Sequence, residues 1–549
     1  MRERPTQLRP VSRAESSPTD AAQIRDRKGE GVKPPCAAQS PRKMSGARRR
    51  EFLALALLCL FSGFLIFATI PGRMSSDSLT QIAAVRAGKF TDWHSPLLLM
   101  TWRPFWLMGF GPTSAYALSV IIFVSGLYGL LRSALPCLWS ACATIVVVGA
   151  PMVLGYVTYF GRDQWFTASM LASFALVLAI SRLEPDRKRL TLSLLLFVAL
   201  WITLATRQNA APVVGVALIG WVTWCGPWRR LGRFDRVSGT LGRSVTARFI
   251  RLGAATALLA GLIAAQSLVR SAGSVESTHP EQQLYLFDLA ALSLRENQLY
   301  LDQDFFPAQD VEVLRRSFNP YNASSIVFSV NGAPPLTPPV PADRIAELRS
   351  DWLAAIREHP SGYLAFRFEM LRTQVAWENK ADWVYHPQID ANPWGYHFVN
   401  PDLQQPMDGY LRLFAANDYL QGGWIYEIWV YLLITIAGLG FFASRNPQRK
   451  LLALFCVGSL GYQATIFFAT MGVGYRLTFP SVVLSLVVVA VGLGDLSGVR
   501  TRAKRSWLSL PPGPEVDTEP LDEITSLAAA PPERGSIQLA RGLVPRPIE

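Results

Sequence analysis

Apolar runs of about 17–20 residues recur along the chain, each bounded by polar or basic stretches. That is the length a helix needs to cross a bilayer core. The runs fall at 52–70, 113–131, 137–156, 165–181, 190–206, 210–226, 252–270, 424–443, 451–470 and 475–495. One further run, Leu97–Phe110, is shorter and carries Arg103-Pro104 near its middle, a charge and a helix breaker together. Parity decides its place. If it crossed, the basic stretches Arg182–Arg189 and Arg229–Arg251 would lie outside. If it stays in the interface, both fall inside, as do Ser444–Lys450 and the tail from Arg500. The pattern therefore predicts an all-α polytopic membrane protein of about ten transmembrane helices with both termini cytoplasmic.

The segments left facing outward are 71–112, 157–164, 207–209, 271–423 and 471–474. In the first, Leu79, Ile82 and Ala83 share one helical face, so 78–88 and 97–110 read as interfacial helices. Residues 271–423 form one extracytoplasmic domain of mixed structure. A helical pattern over Ala346–Arg372 puts Leu348, Trp352, Ala355 and Ile356 on one face, and Pro334–Pro341 and Trp383–Phe398 read as loops. Residues 1–50 read as a disordered basic cytoplasmic arm, with Met44 an alternative start. The transmembrane core is 51–270, the C-terminal transmembrane helices are 424–495, and 496–549 is a disordered cytoplasmic tail. No fixed-period repeat and no inverted pair of broken helices of the transporter kind is present.

Composition agrees: 50% of the 549 residues are apolar and only 17% charged, below what a soluble chain carries. The net charge of +13 first suggests nucleic acid. Its placement excludes that reading: thirteen Lys/Arg lie in residues 1–50 and seven Arg between Arg229 and Arg251, flanking apolar runs. Arg greatly outnumbers Lys, the bias of a high-GC bacterium, and the setting expected is a bacterial cytoplasmic membrane. The six cysteines (Cys36, Cys59, Cys137, Cys142, Cys225, Cys456) show no metal-binding spacing and read as free thiols.

Candidate chemistry gathers at the outward ends of the runs. Asp77 is the first acid after the first run, where it or Ser76 could simply cap the helix that follows. The next outward turn, Tyr159-Phe-Gly-Arg-Asp-Gln-Trp165, presents Arg162 and Asp163 on the same face. Two carboxylates converging there, Asp77 and Asp163, can hold a divalent metal cation or act as a base beside an electrostatic clamp. Asp92 and His94, in Asp-Trp-His-Ser-Pro, add substrate-binding candidates. Arg207 and Arg476 sit at outward span ends against the charge bias, and guanidinium groups there suit a phosphate. Arg270, by contrast, reads as snorkelling to headgroups. In the outer domain His386, with Asp390, Trp394 and His397 near it, suits a carbohydrate or lipid-head cleft. No P-loop, Rossmann glycine motif, HExxH, GxSxG or EF-hand loop occurs.

This arrangement resembles the integral-membrane glycosyltransferases of the GT-C fold, which include the protein mannosyltransferase and aminoarabinose transferase relatives. The likeness lies in an acid just after the first span (Asp77), interfacial helices in the first outer loop (78–88 and 97–110), and a second outer loop with an acid two spans later (Gly161-Arg-Asp163). A C-terminal outward domain completes it. Ser78 follows Asp77 where the family often has a second acid, and the second loop carries Arg-Asp rather than Asp-x-Asp. The segment Trp352…Glu358-His-Pro360…Tyr363…Arg367 is also similar to uncharacterised bacterial membrane proteins grouped with this class.

The resemblance implies a hexosyl- or pentosyltransferase that moves a sugar from a polyprenyl-phosphate carrier to a glycan, lipid or protein acceptor on the outer face. It implies Asp77 as the group that accepts the acceptor's proton, Asp163 as a metal or acceptor ligand, and Arg207 and Arg476 on the donor phosphate. Two other readings stand beside it. A polysaccharide ligase or polymerase would place its essential residues in 271–423. A lipid-linked glycan transporter or flippase would need polar groups deep in several spans, where the runs carry almost no charge.

Overall fold

The computed structural model describes residues 46–497, except 185–186, 226–240, 274, 302–309, 324–325, 327–339, 378–380, 417–420 and 446. The expectations for Met44, for nearly all of the arm and tail, and for the loop 334–339 lie outside the described residues. From Arg50 onward the chain forms one compact unit; before it only 46–49 are described, as the first turn of the first helix.

The chain runs through α1 (Gly46–Thr69), two short helices α2 (Ser76–Ala87) and α3 (Pro96–Leu107), then α4 (Gly111–Arg132). Next come α5 (Cys137–Gly149), α6 (Pro151–Val157), α7 (Arg162–Ile180), α8 (Arg187–Thr206), α9 (Ala211–Gly220) and α10 (Leu241–Ala272). The outer segment holds α11 (Gln282–Glu296), α12 (Val311–Ser317), α13 (Ile345–Glu358), α14 (Pro360–Gln374) and α15 (Pro401–Arg412). Three more follow: α16 (Ile428–Ala443), α17 (Pro447–Ala469) and α18 (Tyr475–Leu496). Among the described residues the sheet content is one two-residue pair, Ala415–Ala416 with Gln421–Gly422.

Seven of these helices are long and apolar enough to cross a membrane: α1, α4, α7, α8, α10 (over Arg248–Ala272), α17 (over Arg449–Ala469) and α18. The other three expected spans differ. The run 137–156 is broken into α5 and α6 with an 81° bend. Pro151 is the cause: it cannot donate to the helix, and it drives Ala150 into an extended conformation (φ −63°, ψ 135°). The run 210–226 is a ten-residue α-helix that passes into a π-turn at Trp221–Cys225. The run 424–443 gives a helix of only 16 residues, α16.

α3 does not cross. Its 12 residues reach about 18 Å against a core of about 30 Å. Both of its ends stay at one end of the bundle. Ser95 Oγ, just before it, donates to Thr206 O at the end of α8 (2.6 Å), and α4, which follows it, places Tyr116 OH 2.5 Å from Thr69 Oγ1 at the end of α1. Arg103 donates back to the Val85 carbonyl at the end of α2 (2.5 Å). That contact needs Gly88: its φ of 68° is left-handed, and a Cβ there would lie 2.5 Å from the guanidinium. At the opposite end of the bundle Arg132 pairs with Glu51 and Arg449 with Asp495.

Small residues let the spans approach closely, as packing without a hydrophobic driving force requires. A Cβ on Gly126 of α4 would sit 2.7 Å from the Ala172 backbone nitrogen of α7. The outward segment feeds two apolar clusters. Leu286, Leu292, Leu348, Phe366 and Met370 form one of their own, whereas Val384, Tyr385, Leu411 and Tyr426 belong to the cluster built by the spans. The helical pattern 346–372 is not continuous. Pro360 ends α13 and starts α14, with His359 at φ −125°, ψ 58° between them. Across this junction Asp288 of α11 and Arg367 of α14 form a fully buried ion pair, which Trp352 Nε1 joins at 2.9 Å. Arg367 also donates to Thr470 O beyond α17 (2.5 Å), fastening the outer helices to the bundle.

Candidate active site

The loop leaving α1 is held by backbone pairing on both sides. Arg73 N donates to Thr158 O (2.9 Å) and Phe160 N to Arg73 O (2.8 Å). On the other side, Met74 N donates to Gln388 O (3.1 Å) and Asp390 N to Met74 O (2.9 Å). Two distant segments, 158–160 and 388–390, thus fix the chain immediately before Asp77. Tyr159 OH, buried, bonds to Ser75 Oγ (2.7 Å) and Ser78 Oγ (2.9 Å), and Ser78 Oγ also donates to Phe160 O (2.6 Å).

Neither acid is a cap. The N-cap of α2 is Ser75, whose side chain is committed to Tyr159, and the N-cap of α7 is Gly161. Both carboxylates instead take arginines. Asp77 Oδ2 accepts from Arg476 Nη1 at 2.6 Å, joining the first turns of α2 and α18 across 399 positions of sequence. Asp163 accepts from Arg207 Nη2, joining the start of α7 to the end of α8. The two pairs differ in setting. Asp77 and Arg476 are 40% and 42% exposed, whereas Asp163 and Arg207 are 4% and 9% exposed.

Arg162, one residue before Asp163, makes no hydrogen bond or ion pair among the described residues, though its charge acts on Asp77 and His94. His94 is buried and its Nδ1 has no hydrogen-bond partner. Burial pushes the His94 imidazole down to about 4, the Arg162 charge adds to this, and Asp77 opposes it; the ring is therefore neutral at ordinary pH. The Arg476 guanidinium holds Asp77 well below the usual carboxylate range, against the effect of burial.

Of the residues singled out by sequence, Asp77, His94, Arg162, Asp163, Arg207 and Arg476 come together. Asp92 does not join them. Its carboxylate accepts from Ser277 Oγ (2.8 Å), Thr278 N (2.6 Å) and Thr278 Oγ1 (2.7 Å), tying the first loop to the start of the outer segment. His386 stands one layer back. Its ring lies edge-on to Tyr159 at 6.4 Å, and Nε2 is 3.1 Å from Asp390 Oδ1.

Three participants escaped the sequence reading. Tyr159 stood in the quoted turn but gave no sign of its serine partners. Arg73, fully buried, pairs with Asp408 of α15 at 2.9 Å. Tyr462, inside α17, stacks on Phe166 at 5.0 Å with its hydroxyl buried, within the field of Arg207 and Asp163. An isolated tyrosine in an apolar helix carries no sequence signal for such a place.

The donor set does not fit a divalent cation. Each carboxylate already takes a guanidinium, no group of three His, Cys, Asp or Glu side chains converges among the described residues, and three arginines outnumber two acids. With His94 neutral, the surplus is one positive charge. Such a site suits an anion.

No family model matches this sequence, and no curated protein matches it. Among solved structures the chain is similar to ArnT from Cupriavidus metallidurans bound to undecaprenyl phosphate. The identity is 11% and the TM-score 0.26, over 81% of this chain and 78% of that one.

Proposed function

We propose that this chain transfers a sugar from a polyprenyl-phosphate carrier to an acceptor hydroxyl at the outer face of a bacterial cytoplasmic membrane. The observation that carries the reading is the unpaired Arg162 guanidinium beside a half-exposed Asp77–Arg476 pair, at the end of a membrane bundle. Sidedness follows from the positive-inside rule: Arg50 in α1 and Arg132, Arg182 and Arg449 lie at the end of the bundle away from the site.

The chemistry follows from the charges. A sugar phosphodiester carries one negative charge, which matches the surplus of the site. Arg162 meets the phosphate first, being free to do so, and Arg476 turns to it from Asp77. That exchange matters, because a carboxylate paired with Arg476 is a poor base; losing the guanidinium restores its basicity. Asp77 then takes the proton of the acceptor hydroxyl as its oxygen bonds to the anomeric carbon. The bond from that carbon to the phosphate oxygen breaks, and its electron pair leaves on the phosphate. Arg162 and Arg476 stabilise the second negative charge that develops there. Neutral His94 offers a hydrogen bond to the sugar or acceptor without adding charge. Asp163, locked to Arg207 and buried, holds the start of α7 and so aims Arg162; its role is positioning.

The test is transfer of radiolabelled sugar from polyprenyl-phosphate donors by the purified chain in lipid vesicles. Asp77→Asn and Arg162→Gln are expected to abolish transfer. Folded variants of both that keep full transfer would overturn the reading.

A further inference from the structure

We infer that α15 (Pro401–Arg412) lies in the boundary between lipid headgroups and acyl chains, with its apolar stripe turned to lipid. The inference concerns membrane seating and does not rest on the transferase reading. The burial of α15 is mixed: Leu411 is fully buried in the cluster built by the spans, yet polar side chains share that inward face while other apolar ones stay outside. Gln404 and Asp408 are buried, at 8% and 9%, while Leu403 and Tyr410 are exposed and Leu413, one residue past the end, is 79% exposed. At about 100° per residue, Leu403, Met407, Tyr410 and Phe414 fall on one stripe. The inward polar face is already satisfied by protein. Gln404 Nε2 donates to Pro387 O (3.2 Å), and Asp408 takes Arg73 Nη1 (2.9 Å) and Arg412 Nε (2.7 Å). Asp402, Gln405 and Arg412 face outward on one side of the helix, and on the other Leu403, Tyr410 and Leu413 leave an open apolar edge for which water is a poor solvent.

Two contacts set the depth. Asn400 Nδ2 donates to Phe67 O in the last turn of α1 (2.7 Å), and Tyr410 OH donates to Gly149 O at the end of α5 (3.1 Å). α1 is long and apolar enough to span, and its Phe64 and Phe67 are more than half exposed, as lipid-facing side chains are. The apolar surface therefore continues from a span directly onto α15. The 81° bend after Gly149 turns α6 aside, and α15 packs against α6 beside that bend. Through Asp408 and Arg73 the helix also grips the strand that leads to Asp77, so its seating fixes the depth of that loop.

The test uses the full chain in phosphatidylcholine–phosphatidylglycerol vesicles, with native cysteines replaced and one nitroxide each at Leu403→Cys, Tyr410→Cys, Leu413→Cys, Gln405→Cys and Gly409→Cys. Collision rates with oxygen and with a water-soluble nickel chelate are compared. Labels at 403, 410 and 413 are expected to favour oxygen several-fold, and those at 405 and 409 to favour nickel. Equal nickel access at all five positions would show a wet helix and overturn the inference. Low access to both reagents at 403, 410 and 413, with spin–spin broadening that unlabelled protein dilutes away, would put a second copy on this face and overturn it equally.

Discussion

The two acid–arginine pairs share one chemistry but differ in exposure, and that difference predicts opposite consequences for the same mutation. In Asp77→Asn the lost partner is Arg476, which is 42% exposed and can turn to water. Two unit charges about 4 Å apart attract by about 1 kcal/mol in water and about 4 kcal/mol at a partly shielded surface. Against this stands the cost of ordering a long arginine, roughly 2 kcal/mol. The net effect on stability is therefore about 0–1 kcal/mol. In Asp163→Asn the partner left behind is Arg207, 9% exposed and enclosed by protein. An uncompensated buried charge costs about 3–5 kcal/mol. Activity should order the variants the other way: removing a general base costs about 10²–10⁴-fold, while removing a positioning acid acts only through its partner.

Reversible unfolding in mixed micelles, beside sugar transfer in vesicles, checks both halves. Asp77→Asn is expected to unfold at nearly the wild-type midpoint and to be inactive. Asp163→Asn is expected to be strongly destabilised, and the double variant Asp163→Asn/Arg207→Gln to regain much of that loss because no lone charge remains. Partial transfer by the double variant marks Asp163 as a positioning residue. Equal destabilisation by the two single variants, or no recovery in the double, would refute the assignment of roles from exposure.

Three further outcomes follow from other parts of the molecule. The His94 imidazole falls to about 4 in the folded chain, so the unfolded chain binds its proton first as pH drops. Its contribution is complete above about pH 6.5 and is lost as pH falls toward 4, roughly 3 kcal/mol in all; His94→Gln should flatten the unfolding midpoint across that window. Gly126→Ala would drive a methyl into the Ala172 backbone, forcing α4 and α7 apart at a cost of about 1–3 kcal/mol, visible as a lower unfolding midpoint. Arg367→Met leaves Asp288 buried without its counter-charge, with only the Trp352 hydrogen bond, costing about 3–5 kcal/mol, and protease cleavage within 282–374 should report the loosened outer helices.

How much of this was legible in the sequence depends on which physical constraint was being read. Hydrocarbon forces every backbone group into an internal hydrogen bond, so long apolar runs announce helices without help from tertiary contacts. Two of the slips trace to a proline. Pro151 bends 137–156 and Pro360 divides 346–372, and both stood in plain view inside patterns whose periodicity outvoted them. Pro104 did not break α3, which continues past it and ends three residues later at Leu107. The parity reading also left a mark in the structure: a non-crossing α3 brings Thr69, Thr158, Asp163, Thr206 and Tyr475 to one end.

The site itself was half legible. Charged groups at span ends stand out because the runs carry almost no other charge, and that contrast selected Asp77, Asp163, Arg207 and Arg476. Which arginine meets which acid was not written there, since Asp77 and Arg476 are 399 positions apart and only the packed bundle joins them. The same packing sets the surroundings of the two pairs apart. An acid read as a cap and an acid read as a metal ligand look identical in sequence; the packed bundle pairs both with arginines, leaving one pair half-exposed and sealing the other. On the proposed reading Asp77 is the reacting carboxylate, because its half-exposed partner Arg476 can turn to a phosphate, while the buried Asp163–Arg207 pair holds the start of α7.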